Sequence, residues 1–371
     1  MELGHSVAAP YAGQILGDLG AEVLKIEKAQ GDDARKWGPP FWEGAAATFQ
    51  GLNRNKRSAV CDLRNPEHVA ALKQLIVERA DVVLQNMRPG QAEALGLGSA
   101  GLLAQKPGLI YCNVGAFGRT GPLSARPGYD PLMQAFGGIM SVTGHEGQDP
   151  VRVGPSIVDM GTGMWGAIGV LAAICRRKET GRGGVVDVSL FETAAAWMSL
   201  LAAHYLSSGE LPQKLGSGTA GIVPYRSYRT ADGDLVIAAG NDSLFCKLCE
   251  VLGHEEWVDD ARFITNPDRV RNQRALYDLI EPLIERQSRA AWIGLLDAAG
   301  VPCAPVQSVK AMLEHPQTHA LGLLQPVPES GMRLIGLPVS FDGQRPQPRS
   351  APPALGADTA RVFPKPKGKK S

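Results

Sequence analysis

Apolar positions in the first half of the chain switch repeatedly between two spacings. From Tyr11 to Leu19 they recur at helical spacing and stop at Gly20; Glu22-Val23-Leu24-Lys25-Ile26-Glu27 then alternates like a strand. The cycle repeats, with Pro66 to Glu78 as a helix carrying proline near its start, Asp81 to Gln85 as a strand, and Leu109 to Val114 as a further apolar strand running into glycines. Strand and helix in alternation imply a parallel sheet flanked by helices, with ligands gathering where strands end.

Asp159 to Arg177 is the most apolar helix of the chain. Trp165, Ile168, Val170, Leu171 and Ile174 fall on every side of it, so it is expected to be buried between layers. Thr180-Gly181-Arg182-Gly183-Gly184 closes it, and Val185 to Leu190 reads as the next strand. From about Gly209 to Gly221 the chain turns glycine- and serine-rich, marking a loop or domain boundary; Tyr225 to Asn241 follows as a hairpin around Asp232-Gly233, and helices carry the chain to Gly300. The tail from Pro346, proline-rich and ending in lysines, is expected to fray or to drape over a surface.

Composition narrows the function. A chain of 371 residues, 44% hydrophobic, can fill a substantial core, and 38 basic against 37 acidic side chains give a net charge of +1. No nucleic acid or membrane surface is expected as a partner on charge, and an anionic ligand must be met locally. The cysteines at 61, 112, 175, 246, 249 and 303 lie in apolar stretches. Cys246 and Cys249 share a helical pattern but lack the second pair or histidines that zinc requires, so no metal is expected. The N-terminus lacks a basic segment followed by an apolar run, and no uncharged stretch reaches about 18 residues; a reduced, cytoplasmic protein is the expectation.

Several segments, in order, carry a joint resemblance. They are Ala9-Pro10-Tyr11-Ala12-Gly13 with Asp18 to Glu27; Asn55-Lys56-Arg57-Ser58 with Asp62-Leu63; Asn86 with Arg88-Pro89-Gly90; Arg126-Pro127-Gly128-Tyr129-Asp130; Asp159 with Gly161 and Gly163; and Thr180-Gly181-Arg182-Gly183. Together they resemble the class III CoA-transferase family of CaiB/BaiF type, which includes formyl-CoA transferase, carnitine CoA-transferases and related acyl-CoA racemases. In that family the residues matching Leu3-Gly4 end a first strand with further residues before it, whereas Met1 here stands inside the strand. Either the start codon was placed late or the sheet loses part of one strand.

The resemblance implies a Rossmann-like large domain from 1–209 with a C-terminal segment, 311–371, returning to it, a smaller α+β domain over 210–310, and an interlocked homodimer. It implies transfer of coenzyme A from an acyl-CoA such as succinyl-CoA to a free carboxylic acid, with Asp159 becoming an aspartyl-CoA thioester and no metal involved. Local sequence alone favours a plain N-cap for Asp159. For the CoA the resemblance supplies Val7 and Ala8 by backbone beside the thioester arm, Lys28, then Cys61, Asp62, Leu63 and Arg64 around the adenine, and Asn86, Met87 and Arg88. Lys28, Arg64 and Arg88 are the candidate phosphate contacts. Arg126, Tyr129 and Asp130 complete the set, the last two as lining for the acyl pocket. A family arginine is absent at Ala94, leaving Arg88 or a neighbour to replace it.

Two readings compete with transfer. Racemases of the same fold pair the aspartate with a histidine, but that position is Tyr129, whose ordinary pKa near about 10 suits it poorly as a base. The Gly240 to Phe245 stretch is also transferase-like. A non-catalytic CoA-binding protein has no evident need of Asp159 with its glycines. His145, Arg152 and the loop 216–222 are candidates for touching the acceptor, and an arginine there would suit a dicarboxylic acid such as succinate, oxalate or mesaconate.

Overall fold

The computed structural model describes residues 1–364. Its main sheet is parallel. β1 (Val23–Glu27) pairs with β2 (Lys56–Val60), and β3 (Val82–Gln85) pairs with β4 (Ile110–Gly115), which pairs with β5 (Gly184–Ser189). The first residues join these halves, because Glu2 bridges in parallel to Lys25 on one side and to Leu84 on the other. The order is therefore β2, β1, the 1–3 segment, β3, β4, β5, and the direction of winding reverses between the 1–3 segment and β3. Such a reversal splays the connecting loops apart and opens a crevice at the carboxyl ends of the strands.

β2 escaped the hydrophobic pattern because it begins Lys56-Arg57-Ser58. Lys56 and Ser58 are buried in it, which costs little only because Lys56 meets Glu2 at 2.8 Å and Ser58 Oγ donates to Glu27 at 2.6 Å. The outer edge of β2 is covered by the chain's end: Asp358 N–H donates to Ser58 O, Val60 N–H to Thr359 Oγ1, and Asn55 N–H to Ser350 O. Over 346–364 the tail thus satisfies an open strand edge instead of fraying; its lysines, within 365–371, lie outside the described residues.

Helices cover both faces. α1 (Ala8–Asp18) and the long α4 (Ile157–Thr180) pack with Leu84, Ile110, Cys112 and Val114, while α2 (Pro66–Arg79) sends Leu72 and Ile76 against Val83 and Tyr111 on the other face. Successive strand residues thus serve opposite cores. Shorter helices α3 (Asp130–Phe136) and α5 (Leu190–Trp197) flank α4.

α4 is long and apolar enough by composition to cross a bilayer, yet one side of it is a core face against α1 and the sheet. The expectation that it is buried all round fails. Met164, Trp165, Ile168 and Leu171 are 43%, 44%, 51% and 39% exposed and form a stripe at helical spacing.

The described chain divides into two compact units, the first comprising 1–139, 153–199 and 316–364, the second 140–152 and 200–315. The second holds an antiparallel sheet in which the hairpin β6 (Tyr225–Thr230) and β7 (Gly233–Ala238) is joined by β8 (Cys303–Pro305). Helix Asp242–Leu252 buries Cys249 in that unit's core beside Phe245 and Leu248, so this cysteine packs as an apolar residue.

α1 and α4 run side by side in parallel. A Cβ on Gly163 would stand 2.6 Å from Ala8 O, and one on Gly166 would stand 3.6 Å from Ala12 Cβ. Helix propensity alone would have Gly163→Ala gain about 1 kcal/mol. The backbone contact reverses the sign, and urea denaturation of Gly163→Ala is expected to show a loss of about 1–3 kcal/mol; a gain would mean that the two helices are not held at this distance.

Candidate active site

Asp159 is the third residue of α4, two residues inside a helix that begins at Ile157 and not at Asp159 itself. A helix this apolar still needs its first N–H groups satisfied, and Ser156, at the N-cap position, makes no side-chain cap bond. The cap comes from elsewhere. Asp130, at the start of α3 and only 2% exposed, accepts the N–H of Val158 at 2.8 Å and that of Asp159 at 3.1 Å through Oδ2. Its Oδ1 accepts from Gln134 Nε2 at 2.5 Å, and Gln134 Oε1 accepts from Val153 N–H at 2.8 Å. Asp130, expected to line the acyl pocket, has its carboxylate committed to this cap.

The Asp159 carboxylate is therefore not an N-cap. It is half-buried and receives no hydrogen bond from any described residue. Burial, and then the charge of Asp130, push its pKa up to about 7. A carboxylate with that basicity, poorly solvated and unshared, is a better nucleophile than an ordinary aspartate.

Because α1 and α4 are parallel and Gly163 meets Ala8, the turn of α4 before Gly163, which carries Asp159, lies level with the loop 4–7 before α1. That loop follows the 1–3 segment at the switch point. Val7 and Ala8 are 7% and 5% exposed, and the N–H groups of Val7, Ala8 and Ala9 donate to no described residue. Backbone donors left open at a helix start, level with a basic carboxylate, are suited to an oxyanion.

The remaining candidates of the first unit fall mostly along the same strand ends. Lys28 follows β1, Cys61 to Arg64 follow β2, and Asn86 to Arg88 follow β3. Lys28 pairs with Asp33 at 2.7 Å and Arg64 with Asp62 at 2.9 Å, both exposed, and Arg64 pulls the Asp62 carboxyl down to about 2. The Arg88 side chain is exposed and its guanidinium has no partner among the described residues. Cys61 is buried, and burial pushes its thiol up to about 11, so it can serve only by shape. Leu63 and Met87 are half-buried against the α2 core. Asn86 spends its amide on the backbone of His5. Arg126 and Tyr129 are exposed just ahead of α3, the Arg126 guanidinium lying 5.9 Å from the Phe117 ring centre. Ala94 is exposed, and beside it Arg119 reaches Glu93 at 3.6 Å.

His145, Arg152 and 216–222 belong to the second unit. A cavity of about 220 Å³ lined by Glu22, Asn55, Arg57 and Arg349 sits at the amino ends of β1 and β2, the edge opposite Asp159. Sequence reasoning missed Gln134, His5 and Asp32. Gln134 lay one turn after Asp130 and offered a helical i,i+4 signal; the other two gave none.

A family model described as CoA-transferase family III matches residues 1–359. The chain is 34% identical to the succinyl-CoA:glutarate CoA-transferase of Homo sapiens over 98% of its length and 84% of the relative's. It is 37% identical to the succinate–glutarate CoA-transferase of Agrobacterium fabrum over 87% of this chain and 82% of that one, and 35% identical to the acetyl-CoA:oxalate CoA-transferase of Acetobacter aceti over 100% and 95%. The crystal structure of a CaiB/BaiF family protein from Brucella suis superposes with a TM-score of 0.87 at 37% identity, covering 97% of this chain and 96% of that one.

Raising the carboxyl pKa in the folded state above its unfolded value of 3.8 stabilises the protein fully only below about pH 4, and that contribution is lost as pH rises through about 7. Asp159→Asn is accordingly expected to melt several degrees above the wild type at pH 8, with the difference closing below pH 4. Calorimetry showing no difference at pH 8 would contradict the unshared carboxylate.

Proposed function

The chain belongs to CoA-transferase family III and moves coenzyme A between an acyl-CoA and a free carboxylic acid, and we propose that Asp159 carries the acyl group and then the CoA. The observation that supports this most is a half-buried carboxylate that receives no hydrogen bond from any described residue, level with N–H groups that donate to none of them.

An Asp159 oxygen attacks the thioester carbonyl, the C–S bond breaks, and CoA thiolate departs, leaving a mixed anhydride. The N–H groups of Val7, Ala8 and Ala9 are the donors for the oxyanion. Thiolate then attacks the aspartyl carbonyl, the donor acid leaves as carboxylate, and Asp159 holds CoA as a thioester. An acceptor carboxylate attacks that thioester, the thiolate returns to the new acyl carbonyl, and Asp159 is restored. One thioester is exchanged for another, so the bond energy is conserved. Arg88, Lys28 and Arg64 offer the charge for the CoA phosphates, Arg88 with the least to give up because its guanidinium has no partner among the described residues.

Succinyl-CoA is the proposed donor and a short dicarboxylate the proposed acceptor, drawn from the activities named for the relatives in Homo sapiens and Agrobacterium fabrum. A second copy of the chain is the proposed partner for the exposed stripe of α4, a contiguous apolar face that costs free energy when left in water.

Asp159→Ala is expected to lower turnover of succinyl-CoA with glutarate, oxalate or mesaconate by about 10⁴-fold or more while staying folded; an Ala variant within tenfold of wild type refutes the covalent route. For the wild type, kcat/KM should rise with pH and level off above about 7, since the ionised carboxylate is the reactive form. In size-exclusion under dilution, Ile168→Glu is expected to shift a dimeric wild type to monomer, and a wild type that is already a stable folded monomer contradicts the pairing.

A further inference from the structure

The loop 4–7 makes a tight turn into α1. Gly4 packs so closely that a Cβ would stand 2.4 Å from Ala9 Cβ, and Ser6 takes φ = 71°, a left-handed conformation that a non-glycine residue adopts only when its surroundings impose it. The surroundings are specific side chains. Asp32, beyond β1, accepts the Ser6 N–H through Oδ1 at 3.0 Å. Asn86, beyond β3, accepts the His5 N–H at 3.0 Å and donates to His5 O at 2.8 Å. Lys25 donates to Gly4 O at 2.8 Å.

Asp32 is itself held. Its Oδ2 lies 2.8 Å from Lys25 Nζ, which also meets Glu2 Oε1 at 2.8 Å, and Glu2 Oε2 meets Lys56 Nζ at 2.8 Å. All four charged groups are 0–1% exposed, two of each sign, so the cluster is neutral and dry. Gly13 leaves the room for it, since a Cβ there would stand 2.1 Å from Glu2 Oε2. Buried ion pairs contribute little net stability over an apolar core, and their best-supported use is to fix one arrangement among several. Here the arrangement fixed is the loop beside Asp159.

We propose that Asp32 and Asn86 are positioning residues for the transfer reaction, locking the loop 4–7 so that the N–H groups at the start of α1 meet the thioester carbonyl attacked by Asp159. This rests on the proposed role of Asp159. Neither side chain touches the reacting atoms; each acts through the backbone of His5 or Ser6.

The test is the rate at which enzyme mixed with succinyl-CoA acquires a hydroxylamine-sensitive adduct on Asp159, set against the Kd for free CoA, which has no thioester carbonyl. Asp32→Ala and Asp32→Asn both remove the buried negative charge, but only the Asn variant retains an oxygen for Ser6 N–H. Misplacement of reacting groups by about 1 Å costs on the order of 100-fold, so Asp32→Ala should form the adduct about 100-fold more slowly, and Asp32→Asn within about fivefold of wild type, with free-CoA affinity held in both. Equal losses in the two variants, or none, overturn the proposal. Asn86→Ala opens no buried charge and serves if the Asp32 variants do not fold: slower adduct formation with unchanged free-CoA affinity supports positioning, whereas wild-type rate, or a loss confined to CoA affinity, overturns it. Absence of any adduct on the wild type overturns the reading of Asp159 and this inference together; a wild-type adduct with unaffected variants overturns this inference alone.

Discussion

Asp130's two hydrogen bonds to the start of α4 are the interaction on which the site depends. A helix beginning in an apolar layer must have its first N–H groups met, and an aspartate in its first turn would ordinarily be drawn into that task. Asp130 performs it from a neighbouring helix, backed by Gln134 and Val153. Asp159 is thereby left with an idle carboxylate, and the charge of its neighbour adds to burial in making that carboxylate basic. One residue supplies the cap and raises the basicity of the Asp159 carboxylate.

The sheet supplies the rest. Its reversal between the 1–3 segment and β3 gathers the ends of β1, β2 and β3, and the start of α1, around one crevice. Glycines then decide how close the helices come. Gly163 permits contact with Ala8 O, which brings Asp159 level with the free donors of α1, and Gly13 admits Glu2 to the charge cluster behind the loop. Close approach is costly to revise, because any Cβ at these positions meets backbone or a buried ion pair.

Much of this was legible in the sequence, for identifiable reasons. α1, α2, β1, β3 and β4 announce themselves through periodicity because each buries one face or both, and the β6–β7 hairpin through Asp232-Gly233. β2 was hidden since its buried residues are charged or polar, and burial of Lys56 is intelligible only once Glu2 is beside it. Asp159 was singled out by its glycines and by family resemblance, but local sequence pointed to an N-cap; only the fold reveals that Asp130, 29 residues earlier, has taken that duty. Asp32 and His5 carried no pattern at all, as their roles arise from contacts between distant strand ends. The outward stripe of α4 is not legible in sequence, because an apolar residue looks the same whether its cover is the same chain or something else.

The proposed reaction turns on the charge state of one side chain. Difference infrared titration of the wild type against Asp159→Asn reads the carboxyl band of residue 159 directly. A midpoint near pH 7 is the expected result. A midpoint near 4, the ordinary aspartate range, would mean that Asp159 is solvated or hydrogen-bonded after all, and would contradict the unshared carboxylate on which the mechanism is built.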